Sequence, residues 1–447
     1  MIKAFIKLFF VTDTNSKLNS KFLKASLGSF LLQFILSLLT FVTTIVIARI
    51  SGDKGFGIYS LVFTWVTVIS SLALFGYDDL ALKQISIYKS KNQYSEIKSF
   101  IYFGLKNILF LSIITTILYI VFCFFVPLPG IYDYRFFHII AAVSIPFFAL
   151  VFFLQSVLKG FGLITSGQIA EKLVQPLSFI IIVIFYYTLG FEVNDFIAII
   201  FRVISFVIAG FFVVILILKY LYKIHKFEFV YLDSHVWNKS LLYFCLSTLL
   251  FSLNSRVDII FLGLYSVSPE EIAYYNVALK FSDIALIPFL VLSTVSTPIF
   301  ASMYYEKKLD ALQKFYTMIT RVGFTIVCLV IIVFIVFGPF FLSWYGNNFQ
   351  SAYTVLVLLS ISKLVHVFVG PANYLLSMTG NEKQVTNALV LSVMLTIILD
   401  VILIPLFSLT GAAYASIGGL IFYDFYLAYI GFKKTGIYFT IIGKIIK

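Results

Sequence analysis

Charge is scarce in this chain. Asp, Glu, Lys and Arg make up 12% of its 447 residues, against 61% hydrophobic ones. A soluble domain carries about 25% charged and about 45–50% apolar residues. So little charge cannot cover a surface in water, so the bilayer is the solvent. Cysteine is nearly absent: Cys123, Cys245 and Cys328 lie far apart within apolar stretches. They give neither a disulfide framework nor metal-ligand spacing. The four histidines, His138, His225, His235 and His366, do not cluster. No catalytic motif, phosphate-binding glycine loop or nucleotide site is present. No catalytic residue, metal, cofactor or nucleotide hydrolysis is therefore expected. Acidic residues are outnumbered 20 to 32 by basic ones, a net charge of +12. In a soluble protein that excess would raise the question of nucleic acid. Here the cations must first be placed along the spans.

A helix needs about 20 apolar residues to cross the hydrocarbon core. The sequence predicts twelve spans: 23–49, 56–77, 99–126, 136–158, 173–190, 196–219, 241–265, 272–302, 316–340, 352–378, 384–406 and 411–432. One set of connectors holds nearly all the lysines, among them Lys17, Lys21, Lys83, Lys91, Lys159, Lys223, Lys307, Lys383 and Lys434; the other holds little beyond Lys54 and Arg135. The positive-inside rule puts the lysine-rich set, both termini and the central loop in the cytoplasm. That topology absorbs the basic excess, and no nucleic acid is expected. The division is an interfacial N-terminal segment 1–22, a bundle 23–220, a linker 221–240, a bundle 241–432 and a tail 433–447. MIKAFIKLFF at the N-terminus has no cleavage-site pattern and reads as an interfacial helix. Segments 80–97 and 304–314 are amphipathic and are expected along the inner surface.

The two halves carry weak echoes of each other: GFGIYSLV with IAYYNVAL, and LKGFGLITSG with LSMTGNEKQ. Six helices per half give repeats of the same orientation, an arrangement used by proteins that rock about a central cavity. Pro146, Pro176, Pro288, Pro371 and Pro405 fall inside spans and can kink them.

Ionisable residues inside a span usually face a cavity or a partner. Lys106, Arg202, Arg256, Asp258, Lys280, Asp283, Lys363 and Asp400 fall inside spans. The helical rise puts Arg256 and Asp258 roughly 10–14 Å, and Lys280 and Asp283 roughly 12–17 Å, from the same membrane face. Lys280 and Asp283 share a helix face. Two readings stand: opposite charges neutralise each other within the bundle, or cations line a wet cavity and bind an anion. Arg202, Arg256, Lys280 and Lys363 are the candidate anion ligands. Asp258, Asp283 and Asp400 are candidates for ion coupling.

Several segments resemble the polysaccharide and O-antigen flippase family (Wzx-type) of the multidrug/oligosaccharidyl-lipid/polysaccharide (MOP) exporter superfamily. They are IARISGDKGFGIYSLV (47–62), FGYDDLALKQIS (75–86), WYGNNFQSAYTVLVLLSISKL (344–364), LLSMTGNEKQ (375–384) and LIPLFSLTGAAYAS (403–416). They occur in the family's order across most of the chain. The resemblance implies an all-α integral membrane fold, two six-helix bundles around a central cavity, and alternating access in a bacterial cytoplasmic membrane. It implies a substrate of sugar units on undecaprenyl diphosphate; H+ or Na+ coupled through the buried carboxylates, and polysaccharide polymerase partners, are expected beside it. Arg202, Arg256, Lys280 and Lys363 match by location rather than by motif. Twelve spans argue against the peptidoglycan-precursor branch, which typically has fourteen. A drug or cation antiporter of the same superfamily is the alternative, but it would favour an acidic cavity. A membrane polymerase or glycosyltransferase would need a sizeable external loop, and every external loop here is short.

Overall fold

The computed structural model describes residues 16–131, 133–222, 230 and 235–443, and every element among them is helical. In chain order they are α1 (Ser16–Leu74), α2 (Tyr77–Ser90), α3 (Tyr94–Phe125), α4 (Arg135–Ala142), α5 (Ser144–Gly160), α6 (Ile164–Ile169), a wider π turn (Ala170–Val174), α7 (Gln175–Thr188), α8 (Asp195–Tyr222), α9 (His235–Asn254), α10 (Val257–Leu264), α11 (Pro269–Tyr305), α12 (Leu309–Leu342), a 3-10 turn (Asn347–Ala352), α13 (Tyr353–Val369), α14 (Ala372–Met378) and α15 (Glu382–Thr435).

Eight helices are long and apolar enough to cross a membrane, and two bent pairs, α4 with α5 (41°) and α9 with α10 (62°), add one span each. Two of the eight are hairpins. α1 breaks at Gly52, where φ is 65°, and α15 breaks at Ser408, where φ is 48°. Across the second break Ser392 Oγ donates to Gly419 O at 2.8 Å, and Gly418 faces Leu399. These pairs are nearly symmetric about Ser408, so two antiparallel helices meet there. Across the first, Ser37, Thr40 and Thr44 line the same cavity as Thr67, Thr64 and Ser60, a pairing centred on Gly52. Dividing both hairpins brings the described residues to the twelve spans expected.

Gly52, Ser266, Gly346 and Ser408 mark turns at one end of the bundle, here the Asp53 end. Lys89, Lys159, Lys307 and Lys383 mark the other, the lysine-rich end. Of the segment 80–97 expected to be amphipathic, residues 80–90 lie in α2, which buries Tyr77, Leu80, Ala81 and Ile85, and residues from Tyr94 already belong to α3. Segment 304–314 is not a surface helix. α11 runs to Tyr305, turns through Lys307 at φ 58°, and α12 starts at Leu309. Extending both helices satisfies the backbone without a third element. Residues 1–15 of the N-terminal segment, 223–229 and 231–234 of the linker, and 444–447 of the tail lie outside the described residues.

The tail is packed against the bundle rather than trailing from it. α13 stops at Gly370 and Pro371, which leaves the Phe368 carbonyl without its helical partner. Ile441 N–H donates to that carbonyl at 2.9 Å, and Arg321 Nε donates to Ile441 O at 3.0 Å. Phe439 is buried against Tyr316 and Gly431.

Candidate functional site

A cavity of about 470 Å³ lies between the two halves. From the first half it is lined by α1 (Thr44, Tyr59, Phe63, Thr64), α5 (Phe148, Phe152), the π turn and α7 (Glu171, Lys172, Gln175), and α8 (Arg202, Phe206). From the second half come Ser255 and Arg256 at the bend between α9 and α10, and Asn276, Lys280 and Asp283 on α11. Its size falls within the range of about 300–1,000 Å³ usual for small-ligand sites.

Three of the four candidate cations converge here. Arg202, Arg256 and Lys280 line the chamber and act on one another electrostatically. The bend explains Arg256. Asn254 and Ser255 compete with the backbone for hydrogen bonds, and Ser255 Oγ turns back to Phe251 O at 3.2 Å. Arg256 therefore caps α10 in a non-helical conformation, with φ −138°. The Arg202 guanidinium lies 5.1 Å from the Phe206 ring, and its Nε and Nη1 are buried with no partner. Lys280 and Asp283 share one face of α11, as their spacing predicts.

Lys363 does not join the cavity lining. Its Nζ meets Asp283 Oδ1 at 2.9 Å. It thereby occupies Asp283, one of the two carboxylates that line the chamber, and leaves Arg256 and Lys280 less compensated. Lys106 is exposed on α3. Asp258 points away from the chamber into the second bundle, where Tyr275 Oη and Ser416 Oγ donate to its Oδ2 at 2.8 and 2.6 Å. Asp400 is fully buried and faces Asp258. The two carboxyl groups form a pair separate from the cavity.

Sequence reasoning missed Glu171, a carboxylate inside the cavity. With the Gln155 amide oriented to satisfy both neighbours, it donates to Glu171 Oε2 at 2.9 Å and accepts from Lys159 Nζ at 2.7 Å. The adjacent Lys172 hid Glu171 as part of a charged connector. It also missed Thr64 and Asn276, which neutral residue type alone does not mark.

The halves are pinned together at the Asp53 end. Arg49 Nε and Nη2 donate to Trp344 O at 2.7 Å and Ser343 O at 2.6 Å. Thr44 Oγ1 and Tyr345 Oη are 2.7 Å apart. Asp53 accepts from Asn348 at 2.9 Å and Tyr274 at 3.1 Å. The Asn348 hydrogen bond holds the Asp53 carboxyl below its ordinary range, against the opposing effect of burial. Gly57 abuts the Pro269 backbone so closely that a Cβ would overlap its carbonyl. At the lysine-rich end α9 leans on the first half, where a Cβ on Gly76 would come within 2.6 Å of Cys245 N.

Two antiparallel-hairpin bundles of six spans around a shared cavity define a membrane transporter fold. The chain is similar to an inward-facing multidrug resistance MATE family transporter of the MOP superfamily, at 14% identity and a TM-score of 0.73, over 90% of this chain and 94% of that one. The outward-facing conformation of a multidrug resistance MATE family transporter gives 0.61 at 14% identity, over 92% and 94%. A MOP superfamily transporter from Pyrococcus furiosus Vc1, described as having a binding pocket of reverse polarity, gives 0.63 at 14% identity, over 92% and 94%. No curated protein matches the chain by sequence. The family model described as "Polysaccharide biosynthesis protein" matches residues 22–304, and the model described as "MatE" matches residues 244–406. The chain belongs to the polysaccharide biosynthesis protein family, and its fold is that of the multi-pass MOP superfamily transporters.

Proposed function

We propose that this protein flips an undecaprenyl-diphosphate-linked oligosaccharide, such as an O-antigen or capsule repeat unit, from the cytoplasmic to the outer leaflet of a bacterial inner membrane. The observation that carries the reading is the polarity of the chamber. Arg202, Arg256 and Lys280 face it, while Lys363 occupies Asp283. A chamber of that sign attracts an anionic head group and repels the organic cations an antiporter would export. The protein moves its substrate without covalent chemistry; it is no enzyme.

Both termini lie in the cytoplasm on the positive-inside rule, which makes the lysine-rich end internal. The pinned Asp53 end is then the outer gate, and the conformation is inward-facing. Residues 23–220 and 241–432 rock as the two units, joined by the linker 221–240. Asp258 and Asp400 are the coupling pair. A proton or Na+ held between them removes the like-charge conflict of two buried carboxylates. A polysaccharide polymerase is the downstream partner.

Deleting the gene in its host tests this reading. Lipid-linked repeats building up on the inner leaflet, with loss of surface polysaccharide, support it. Normal surface glycan with altered sensitivity to cationic drugs would replace it with the antiporter.

A further inference from the structure

Residues 436–443 leave α15 and run back along α12 without forming a helix. Non-helical backbone beside a membrane span must find partners for its N–H and C=O groups. One stripe of α12 supplies them. Gln313, Thr317 and Arg321 are spaced four apart and so share a face. Gln313 accepts from Tyr438 N at 2.6 Å and donates to Tyr438 O at 3.1 Å, as a paired strand would. Arg321 Nε and Nη2 donate to Ile441 O at 3.0 Å and Ile442 O at 3.3 Å. Gly443, with φ 71°, has already turned back, since a Cβ there would lie 2.7 Å from Thr317 Oγ1. The tail is therefore a re-entrant loop. It follows α12 from Gln313 to Arg321, about 12 Å, and returns.

Arg321 stands at the deepest point of that loop, inside the predicted span 316–340 and near its lysine-rich end. It is exposed, and it pairs with no carboxylate among the described residues, where the ion pairs are Lys308–Glu306, Lys363–Asp283 and His366–Asp424. The two tail carbonyls orient the guanidinium without neutralising it. Three of its five N–H groups remain for another partner. A lone cation inside a span is costly. Side chains of α12 tilt toward its N-terminus, which is the lysine-rich end, so Arg321 reaches toward the headgroups of that leaflet. Lys314 is exposed on the same face of α12, two turns nearer those headgroups. The tail leaves α15 just after Lys433 and Lys434, also exposed. At headgroup level the available anion is a lipid phosphate, whose oxygens accept paired N–H groups from a guanidinium. A zwitterionic headgroup would bring its own ammonium toward these lysines, and an anionic one does not.

We infer that Arg321, oriented by the tail, and Lys314 form a binding site for an anionic phospholipid in the leaflet at the lysine-rich end. The site lies on the lipid-facing side of the second bundle, and α12 contributes nothing to the chamber lining. Ile441 N–H also holds the Phe368 carbonyl at 2.9 Å, so the tail bridges α12, α13 and α15. The bound lipid completes Arg321 and holds that bridge against α12.

The test uses the full-length protein in phosphatidylcholine nanodiscs containing a minor share of phosphatidylglycerol. Each lipid in turn carries a photoactivatable diazirine near its glycerol. Mass spectrometry counts the label on α12 and the tail against that on α7, where exposed Ile181 and Phe185 face lipid without a charge. Label inside the chamber is counted apart. Relative to α7, phosphatidylglycerol is expected to be enriched about fivefold or more, the scale of one basic side chain near a charged surface. Arg321→Gln keeps an amide N–H for the tail carbonyls and should reduce the enrichment to the level at α7. Lys314→Gln, on the exposed surface, should lower it severalfold with an unchanged melting temperature. Equal labelling by the two lipids in the wild type overturns the site, and so does an enrichment that survives both exchanges. Excess inorganic phosphate should leave the labelling unchanged; competition by it would make the ligand a soluble anion and overturn the lipid assignment. Both leaflets of a nanodisc are alike and the chamber is untouched, so none of these outcomes bears on the transport reading.

Discussion

Gly57→Ala separates the stability of the fold from the balance between the two conformations that the proposed rocking requires. In an ordinary helix this exchange favours the helix by about 1 kcal/mol. That gain is common to every conformation in which the helix persists, so it cancels between them. The new methyl, however, overlaps the Pro269 carbonyl wherever the halves touch at the Asp53 end. Both atoms it meets first are backbone, so no side chain can rotate aside. Relieving such overpacking costs typically about 1–3 kcal/mol. The cost falls only on the conformation closed at that end, and it shifts the balance about 5- to 150-fold toward separation there. Spin labels at Glu192 and Gln350, exposed on the two halves near this end, report the gap. The distance distribution should move to longer separations while the melting temperature holds or rises. An unchanged distribution would refute the claim that Gly57 and Pro269 form the closing contact.

Four further outcomes follow from named contacts. Lys363→Met frees Asp283 to compensate Arg256 and Lys280, so affinity for an anionic lipid should fall severalfold although Lys363 does not line the chamber; an unchanged affinity by equilibrium binding contradicts this. Asp53 is held below its usual range, so its contribution to the closed end is present above about pH 4 and is lost as pH falls through the lowered value. The label distance should lengthen on acidification below that pH, and Asp53→Asn should remove the dependence. Arg49→Lys loses one of two short bonds to the Ser343 and Trp344 carbonyls and should open the same gap without unfolding the protein, as read by the same labels. Gly419→Ala forces a methyl into Thr396 Oγ1 between the two arms of α15 and should lower stability by about 1–3 kcal/mol in thermal melts.

What was legible in the sequence was what a membrane makes expensive. Length and hydropathy gave the spans, because every crossing must satisfy its backbone by itself. Depth along each helix singled out Arg202, Arg256 and Lys280, and the fold brings them into one chamber. Depth does not give direction. Asp258 stands two residues after Arg256, about 200° around a helix, and it faces Ser416 rather than the cavity. Lys363 lies at a similar depth but spends its charge on Asp283. The bend at Asn254 and Ser255 has no proline or glycine to announce it. The contacts that pin the Asp53 end were hidden for another reason. Arg49 bonds main-chain carbonyls nearly 300 residues away, a contact that leaves no trace in the identity of Ser343 or Trp344. Thr64 and Asn276 were hidden because a neutral side chain costs little to bury when it is paired, and only coordinates show that it is not.

The most direct measurement is transport by the purified protein in liposomes loaded on one leaflet with undecaprenyl-diphosphate-linked oligosaccharide, with a sugar-modifying enzyme outside to score its arrival. The wild type should move the lipid between leaflets, and replacing Arg202, Arg256 and Lys280 together by Gln should abolish that movement while the protein still folds. Movement that persists in the triple variant, or liposomes that instead exchange organic cations for an ion gradient, would contradict a chamber built for an anionic sugar lipid.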